Sequence, residues 1–312
     1  MAREVRQGNA KNSNPTDSVR LSVVIVNYNG MAYLEACVQS IERHVSEQHE
    51  IIIVDNASED DSVAYICKNF PHVHLIPSET NLGFAGGNNL GVSFSRGEYI
   101  LLLNCDTIIC SDLKRGISIL EQKEDIGIVG AKMLNAERHY RRSAMSFPNF
   151  PKCLKVSTLN IKRGPFNKGH FGDRLSEKFY QVDAVEGSFM LMRKSLWELV
   201  RGMDESFFMY GEDVDFCKRA KLAGYQTAYY PALQYIHFGG FSPPREYLVV
   251  KGILLYHKRY SPVALYTVVY VTMFGRSALR CLFYLALAYI ENKQDHFLKS
   301  KAALYSLKHS FF

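Results

Sequence analysis

The chain has 312 residues, of which 47% are hydrophobic, 22% charged and 12% aromatic, and these proportions exclude a collagen-like, coiled-coil or wholly disordered protein. Seven cysteines, an odd number with no CxxC pair, favour free thiols in a reducing compartment over a disulfide framework or a Cys-ligated zinc site. The net charge of +6 is concentrated toward the end of the chain, where ten basic and three acidic residues follow position 237. Because these charges lie among Leu, Val and Tyr, nucleic-acid binding is disfavoured.

Predicted strands and helices alternate over the first 130 residues. Before them, residues 1–19 are polar, lack the apolar core of a secretory signal, and are expected to form a disordered leader. The continuous apolar runs that follow are typical of strands buried on both faces of a parallel sheet. We therefore predict an α/β fold with a mainly parallel sheet flanked by helices. The predicted strands are 21–27, 50–55, 73–76 and 99–103.

Two carboxylates stand directly after predicted strands. Asp55 ends the second strand and Asp106 follows the fourth. In an open α/β sheet, ligands bind beyond the carboxyl ends of the strands, and an unpaired carboxylate would be costly to bury there. Asp106 would suit a divalent cation shared with phosphate oxygens. The alternative is a structural carboxylate that caps a turn or the helix expected near Ser111.

A glycine-rich loop, NLGFAGGNNLG, runs from Asn81 to Gly91. It matches neither the P-loop nor the dinucleotide-binding pattern, and no lysine follows it, so a P-loop nucleotidase is disfavoured. Its glycines would let a ligand approach the backbone closely, and its asparagines would offer neutral hydrogen bonds. A tight turn before a helix explains the same pattern.

Three acids, Glu212, Asp213 and Asp215, lie at the predicted start of a helix. The helix dipole favours acidic residues in a first turn, but three acids in four residues exceed what capping requires. The preceding residues 207–210 (FFMY) would form an apolar wall beside them. Such a wall raises the pKa of a neighbouring carboxyl and thereby suits a general base.

His237 follows another short predicted strand and precedes two glycines. Imidazole and carboxylate together are suitable ligands for a divalent cation, although a single histidine is more often structural. The sequence contains neither the HExxH pattern of zinc peptidases nor the GxSxG pattern of serine hydrolases.

The C-terminal region, 241–312, is expected to be helical and to associate with a membrane. Its most apolar stretch, 262–290, is interrupted by Arg276 and Arg280, and charge near the bilayer centre disfavours a spanning helix. A basic, aromatic and apolar segment is typical of a helix at a membrane surface. The alternative is a helical hairpin packed against the rest of the protein.

Several ordered blocks of sequence together resemble the inverting glycosyltransferases of family 2, in particular their bacterial rhamnosyltransferase-like members. The resemblance extends from about residue 21 to about residue 260. It implies a catalytic domain over 20–240 with the GT-A fold, a Rossmann-like mixed sheet, followed by a helical appendage. The blocks are VVIVNYNG (23–30), IIIVDNASEDDS (51–62), NLGFAGGNNLG (81–91) with LLLNCDT (101–107), and FFMYGEDVDFCKRAKLAGY (207–225), followed by IHFGG (236–240).

The resemblance also implies roles for residues at matching positions. Asp213 would be the catalytic base, with Glu212 and Asp215 as supporting acids. Asp106 would end the DxD motif that binds Mg²⁺ or Mn²⁺, and His237 would be a further metal ligand. The implied donor-binding residues are Asn27, Tyr28, Asp55, Asn81, Gly83, Asn88, Asn104, Cys105, Gly187 and Ser188. Asn104 stands where the motif has its first aspartate, so the motif reads NxD and lacks one carboxylate.

The implied reaction moves a sugar from a pyrimidine nucleoside-diphosphate-sugar to a hydroxyl of a glycan acceptor, with inversion. The first expected donor is dTDP-rhamnose, followed by UDP-hexoses. The expected acceptor is carried by a polyprenyl diphosphate, which would place a cytoplasmic enzyme at the inner face of the cytoplasmic membrane in cell-surface polysaccharide assembly. A homodimer is compatible with the resemblance.

Two other functions remain open at this point. A nucleotide-sugar-binding or scaffold protein of the same fold that has lost catalysis is favoured by the NxD departure. A nucleotidyltransferase would need a basic, glycine-rich diphosphate-binding loop near the first strand. Residues 27–30 (NYNG) offer neither lysine nor arginine there, which disfavours it.

Overall fold

A computed structural model describes residues 19–149, 178–239, 246–291 and 294–311. The predicted leader lies outside the described residues except for Val19. The strands are β1 (Leu21–Asn27), β2 (His49–Asp55), β3 (His74–Pro77), β4 (Tyr99–Asn104), β5 (Thr107–Ile109), β6 (Ile126–Leu134), β7 (Tyr140–Arg141), β8 (Ala144–Met145), β9 (Tyr180–Val182), β10 (Ala184–Val185), β11 (Phe189–Arg193) and β12 (Gln226–His237). The helices are α1 (Met31–His44), α2 (Ser62–Asn69), α3 (Gly83–Ser93), α4 (Lys114–Gln122), α5 (Lys194–Leu199), α6 (Glu212–Leu222), α7 (Glu246–Tyr260), α8 (Val263–Glu291) and α9 (Gln294–Phe311).

The main sheet has the strand order β3-β2-β1-β4-β11-β6-β12-β5, with β7 and β9 paired to β6 and β12. Strands β1 to β4 are parallel, β6 and β12 run in the same direction, and β11 and β5 run in the opposite one. Val24 of β1 and Ile53 of β2 are fully buried, as predicted for apolar runs covered on both faces. The predicted mixed, mainly parallel α/β sheet is confirmed.

Helices cover both faces of this sheet. Leu34 of α1 and Ile117 of α4 belong to one buried core. Ala85 of α3 and Phe216 of α6 belong to the core on the other face, together with Tyr256 of α7. Helix α6 is therefore held between the sheet and the C-terminal helices, and its first turn reaches the edge where the parallel strands end.

Strand directions bring the carboxyl ends of β1, β2, β4 and β12 to one edge of the sheet. Asn27 is in register with Asp55, and Asn104 lies beside them at the end of β4. Because β11 runs antiparallel to β4, the residues that precede β11 reach the same edge. His237 ends β12 there. Residues far apart in sequence are thereby gathered where an open α/β sheet binds its ligands.

The C-terminal region consists of helices in its described parts, as predicted. Val269 of α8 packs with Ile253 of α7 in a small buried core, but much of α8 faces outward. Leu279 and Leu282 are 69% and 63% exposed, which favours a surface helix over the alternative of a buried hairpin packed against the rest of the protein. By length and hydropathy, Val263–Leu287 is a helix that could cross a bilayer, and 17% of its most apolar part is buried. The expected position at a membrane surface stays a prediction.

Candidate active site

Asp55 has both carboxylate oxygens held in place at the end of β2. The side-chain amide of Asn27 donates to its Oδ1 at 2.8 Å, and the backbone N–H of Ser58 donates to its Oδ2 at 3.0 Å. The Asn27 amide also donates to the Ser58 hydroxyl at 3.1 Å. A carboxylate oxygen can accept more than one hydrogen bond, so this oriented group can still receive an N–H from a ligand. Tyr28 lies next to it and is 45% exposed, which leaves its ring free to cover such a ligand.

The glycine-rich loop is organised by its asparagines. The Asn81 side-chain oxygen accepts from the amide of Asn56 at 3.0 Å and from the backbone N–H of Gly83 at 2.9 Å. Asn88 is buried and donates to the Phe84 carbonyl within helix α3 at 2.9 Å. These bonds are those of a tight turn that opens a helix, so a donor-binding role for this loop stays a prediction.

Asp106 and His237 face each other after β4 and β12. The Asp106 Oδ1 lies 3.2 Å from the His237 Nε2, and the Asn104 amide nitrogen lies 3.5 Å from the same ring nitrogen. Burial opposes ionisation of Asp106, but the hydrogen bond and charge of His237, with backbone N–H groups, lower its pKa overall. The carboxyl is therefore ionised at neutral pH. In the chain, Cys105 stands between Asn104 and Asp106, and burial raises the pKa of its thiol, which stays protonated.

These side chains fit a divalent cation. A carboxylate is a typical ligand of Mg²⁺ and Mn²⁺, an imidazole is a typical ligand of transition-metal ions, and the buried Asn104 side-chain oxygen has no hydrogen-bond partner among the described residues. A Cβ at Gly239 would overlap the Asp106 Oδ2 and lie 3.1 Å from the His237 Nε2, so glycine lets the Asp106 carboxylate approach the backbone beside His237. No group of three His, Cys, Asp or Glu within the described ranges could surround an ion. A bound ligand would have to supply the remaining coordination.

Asp213 lies in the first turn of α6, and backbone donors hold both of its oxygens. Its Oδ2 accepts from the N–H of Gly187 at 3.1 Å, and its Oδ1 accepts from the N–H of Val214 at 2.8 Å. Burial raises its pKa even though these donors favour the charged form. Its neighbour Glu212 is 5% exposed, and burial, reinforced by the charges of Asp213 and Asp215, raises its pKa well above the usual range. The Asp213 carboxylate, which two backbone N–H groups hold in place and whose pKa is raised, is suited to accept a proton.

Asp215, predicted as a supporting acid, points in a different direction. It is fully buried and accepts hydrogen bonds from the Arg219 Nε at 2.7 Å, the Arg259 Nη1 at 2.8 Å and the Tyr260 hydroxyl at 2.7 Å. Arg259 and Tyr260 belong to the last turn of α7. Asp215 therefore joins two helices and does not line the cleft beside Asp213.

Glu186 is a charged residue of the site that sequence reasoning missed. It precedes Gly187 and Ser188, whose hydroxyl lies 2.7 Å from the hydroxyl of the buried Tyr235. Burial raises the pKa of Glu186 to about 7, against the opposing charge of His237 and a hydrogen bond with Ser188. A usable signal was present, since Glu186 is the single charged residue in the apolar run from 184 to 192.

Arg141 is a second residue of the site that sequence reasoning missed, and it brings positive charge to the sheet edge where the parallel strands end. It lies on β7 and donates through Nη1 to the Gly239 carbonyl at 2.8 Å, next to His237. Its charge opposes the raised pKa of Glu186. The sequence around Arg141 shows no strand-like period, so nothing in it linked this arginine to the strand ends.

The site spans the distance from Asp55 to Asp213 along one edge of the sheet. Asp55 is on β2, and Gly187, which donates to Asp213, directly precedes the strand that pairs with β4. The path from β2 across β1 and β4 to β11 covers three strand spacings, or about 14 Å. Asp106 and His237 lie at the same edge, where β4 and β12 end. The structure thus brings the three acids predicted at 55, 106 and 213 to one edge.

Comparison with known proteins decides the family. The sequence profile described as "Glycosyl transferase family 2" matches residues 22–200. The chain belongs to glycosyltransferase family 2. The resemblance to family 2 glycosyltransferases and the predicted enzyme class are therefore confirmed.

Curated relatives of this family 2 chain carry transferase names. A low-salt glycan biosynthesis hexosyltransferase, Agl10, of Haloferax volcanii is 28% identical over 64% of this chain and 61% of its own length. The rhamnosyltransferase WbbL of Escherichia coli is 28% identical over 69% of this chain and 82% of its own. An N-acetylglucosaminyl-diphospho-decaprenol L-rhamnosyltransferase of Mycobacterium tuberculosis is 26% identical over 72% and 78%.

Two solved structures share the fold. S. aureus TarS 1–349, solved in complex with UDP, superposes with a TM-score of 0.52 and 16% identity, covering 82% of this chain and 70% of that one. GalNAc-T7, solved with UDP, GalNAc and Mn²⁺, superposes with a TM-score of 0.57 and 15% identity, covering 77% and 48%. At this identity the likeness concerns the fold, and the predicted GT-A architecture is confirmed.

Proposed function

We propose that this family 2 member transfers a sugar, with inversion, from a pyrimidine nucleoside-diphosphate-sugar to a hydroxyl of a glycan acceptor. The observation that carries the proposal is the shared sheet edge. A preorganised carboxylate, Asp55, ends β2 at one end of this edge, and a raised-pKa carboxylate, Asp213, is bound to Gly187 just before β11 at the other, with β2 and β11 about 14 Å apart. That separation suits an extended nucleotide-sugar, with Asp106 and His237 beside the diphosphate.

Recognition of the nucleotide falls to the β1 and β2 ends. Asp55 accepts the ring N–H of a pyrimidine, since Asn27 and Ser58 hold its oxygens in a fixed orientation. The exposed ring of Tyr28 covers the base face. Because an ionised carboxylate such as that of Asp55 can only accept hydrogen bonds, it favours uracil or thymine, which carry this ring N–H, over cytosine, which does not.

The diphosphate lies beside Asp106, His237 and Asn104. A bound Mg²⁺ or Mn²⁺ would supply positive charge next to the departing diphosphate. Asp106 is ionised and can hold such a cation, while the unpartnered oxygen of Asn104 offers a neutral ligand in place of a second carboxylate. Arg141 adds fixed positive charge at the same edge.

Asp213 performs the proton transfer. The acceptor oxygen forms a bond to C1 of the sugar as the bond between C1 and the diphosphate oxygen breaks, and Asp213 accepts the hydroxyl proton. The electron pair of the broken bond leaves with the nucleoside diphosphate. One displacement inverts the anomeric centre, and the N–H groups of Gly187 and Val214 hold the carboxylate in position for it.

The names of the relatives support the choice of donor and acceptor. Two of the three relatives described above are named rhamnosyltransferases, and the name of one refers to a decaprenol-linked sugar. We therefore place dTDP-rhamnose first among donors, ahead of UDP-hexoses, and a polyprenyl-diphosphate glycan as acceptor in polysaccharide assembly. Because the match to the Haloferax protein covers 61% of its length, the activity and substrates of the whole protein belong to this proposal.

Association with the membrane is part of the same proposal. Helix α8 exposes apolar side chains, among them Val271, Leu279 and Leu282, within a region that carries ten basic residues against three acidic ones. This combination suits the surface of an anionic bilayer, where a lipid-linked acceptor resides. We place the protein at the cytoplasmic face of the membrane, where nucleotide-sugars are available. Dimer formation stays a prediction.

The deciding experiment is a donor and acceptor screen. The purified chain is incubated with Mn²⁺ or Mg²⁺, a polyprenyl-diphosphate-linked N-acetylglucosamine, and either dTDP-rhamnose, UDP-glucose or UDP-galactose. We expect release of nucleoside diphosphate together with a lipid product that is heavier by one sugar. Saturable donor binding without any product would instead support the alternative of a nucleotide-sugar-binding or scaffold protein that has lost catalysis, which the NxD motif with Asn104 favours. Absence of both binding and product would refute the proposed function.

A further inference from the structure

Helix α7 lies outside the segment matched to the family, yet it contacts the turn that sets the position of Asp213. Building on the proposed function, we infer that α7 is a positioning element for the base, acting through Gly252 and Arg259. Gly252 contacts the turn that precedes α6, and Arg259 binds Asp215 of α6, so the two contacts come before and after Asp213 in the chain. Their contacts are with Tyr210 and Gly211 and with Asp215 and Asp204, so their effect on Asp213 is exerted through α6 and the turn before it.

The first contact is between the backbones of Gly252 and of Tyr210 with Gly211. A Cβ at Gly252 would overlap the Tyr210 carbonyl oxygen, and it would lie 3.2 Å from the Tyr210 carbonyl carbon and 3.8 Å from the Gly211 Cα. Only glycine allows α7 to approach this closely. The turn therefore has no space to move toward α7.

The turn itself has an uncommon backbone conformation. Tyr210 has φ +70° and Gly211 has φ +108°, both in the left-handed region. A residue with a side chain adopts such a conformation only where its surroundings hold it. Gly211 is the N-cap of α6, so these two residues set the direction in which the helix, and with it Asp213, leaves the turn.

The second contact is an ionic cluster that comes after Asp213 in the chain. Asp215 is fully buried and is bound by Arg259 and Tyr260 of α7 as well as by Arg219 of its own helix. Arg259 also forms an ion pair with Asp204, in the loop that leads to the turn. Loss of any of these partners would leave the buried carboxylate incompletely paired, which is costly, so the cluster fixes the rotation of α6.

Asp213 lies between the two contacts and has little independent freedom. It is two residues after Gly211 and two before Asp215, and its Oδ2 meets the N–H of Gly187 at 3.1 Å. A small shift of the first turn of α6 would lengthen that bond and displace the carboxylate from the attacking hydroxyl. The rate of proton transfer depends steeply on the distance between the Asp213 carboxylate and the attacking hydroxyl. Binding of the nucleotide, at the far end of the edge, does not depend on that distance.

The test compares two glycine substitutions in the full-length protein. Gly252→Ala introduces a methyl group against the Tyr210 carbonyl, whereas a Cβ at Gly275 of α8 meets nothing within 4 Å. We expect Gly252→Ala to lower kcat by roughly tenfold or more while the donor KM stays within about twofold, because the displaced group acts only in the chemical step. Gly275→Ala should leave both constants unchanged. Circular dichroism and melting temperature establish that each variant is folded.

A conservative pair at Arg259 covers the case in which Gly252→Ala does not fold. Arg259→Met removes the charge that binds Asp215, and Arg259→Lys keeps a charge without the forked geometry. We expect a lower kcat for both, with partial rescue in the lysine variant and little change in donor KM. Equal losses of kcat and donor binding in the folded variants would indicate a general structural role and overturn the inference.

Hydrogen–deuterium exchange separates this inference from the proposed function. Exchange of the amides of residues 211–216 should be faster in Gly252→Ala than in wild type and unchanged in Gly275→Ala, whether or not a substrate has been identified. Unchanged exchange together with unchanged kcat in folded Gly252→Ala would refute the role of α7. A wild-type protein without transferase activity would count against the proposed function alone, and the exchange result would still decide the role of α7.

Discussion

The Asp213 carboxylate accepts a hydrogen bond from the backbone N–H of Gly187 at 3.1 Å. The two residues belong to different parts of the fold, one in the first turn of α6 and the other just before β11. Because β11 lies next to β4, the bond holds the acid beside the strand end that carries Asp106. Burial at this position raises the pKa of Asp213, as a base that accepts a proton during transfer requires.

Replacement of Asp213 by asparagine should abolish turnover without loss of donor binding. The amide keeps the shape of the side chain but cannot accept the hydroxyl proton, so we expect kcat to fall by about 100-fold to 10,000-fold. Donor affinity, measured by calorimetry, should change by less than about threefold, because the proposed function assigns recognition of the nucleotide to Asp55. Asp125→Asn, at an exposed acid just before β6, is the matched control. Normal turnover in Asp213→Asn would remove this residue from its role.

Replacement of Asp106 by alanine should weaken cation and donor binding together. The ionised carboxylate faces His237 at 3.2 Å, and its loss leaves one charged or imidazole ligand at the site. We expect the Mn²⁺ concentration for half-maximal activity to rise by about tenfold or more, as losses of metal-site residues commonly do. Titration of Mn²⁺ at fixed donor, followed by titration of donor at fixed Mn²⁺, measures both effects. An unchanged Mn²⁺ dependence would contradict a cation site at Asp106.

Replacement of Glu186 by glutamine should change how stability depends on pH. The folded-state pKa of Glu186 is raised from 4.5 to about 7, chiefly by burial, so the folded protein binds its proton more tightly than the unfolded chain does. Below pH 4.5 the carboxyl is neutral in both states and costs nothing. As pH rises through about 7 the wild type loses stability relative to Glu186→Gln, by up to about 3 kcal/mol.

Denaturant unfolding at pH 5 and pH 8 checks this prediction. The free energy of unfolding of Glu186→Gln should exceed that of wild type at pH 8, and the difference should shrink toward pH 5. Glu121→Gln, which removes an exposed carboxylate of α4, serves as control. A difference that grows toward low pH would mean that the Glu186 pKa is lowered in the fold.

Charged substitutions on the outer face of α8 should release the protein from membranes. Leu279 and Leu282 are 69% and 63% exposed, and each buried leucine stabilises association by about 1.5 to 3 kcal/mol. We therefore expect Leu279→Glu with Leu282→Glu to lower recovery on anionic vesicles by at least about tenfold. Leu222→Glu, at an equally exposed leucine (67%) of α6, should have no effect. Equal recovery of both variants on sedimented vesicles would refute a membrane surface on α8.

Much of the sheet could be predicted because its strands are continuous apolar runs. The prediction for the first strand, 21–27, matches β1, and the others differ from β2, β3 and β4 by one residue at one or both ends. The β-branched composition of these runs suits a strand covered on both faces, so local and global preferences agree. The helix predicted to start at Glu212, Asp213 and Asp215 is also present, as α6, Glu212–Leu222.

The sequence by itself determined that polar residues follow the strands, and parallel pairing then obliges Asn27, Asp55 and Asp106 to share an edge. Only the tertiary structure decided what the acids of α6 do. Asp213 and Asp215 are about 200° apart around a helix of 3.6 residues per turn, so one can face the cleft and the other must face elsewhere. Which of them does so depends on how α7 packs, and that contact joins residues far apart in the chain, beyond the reach of any local pattern.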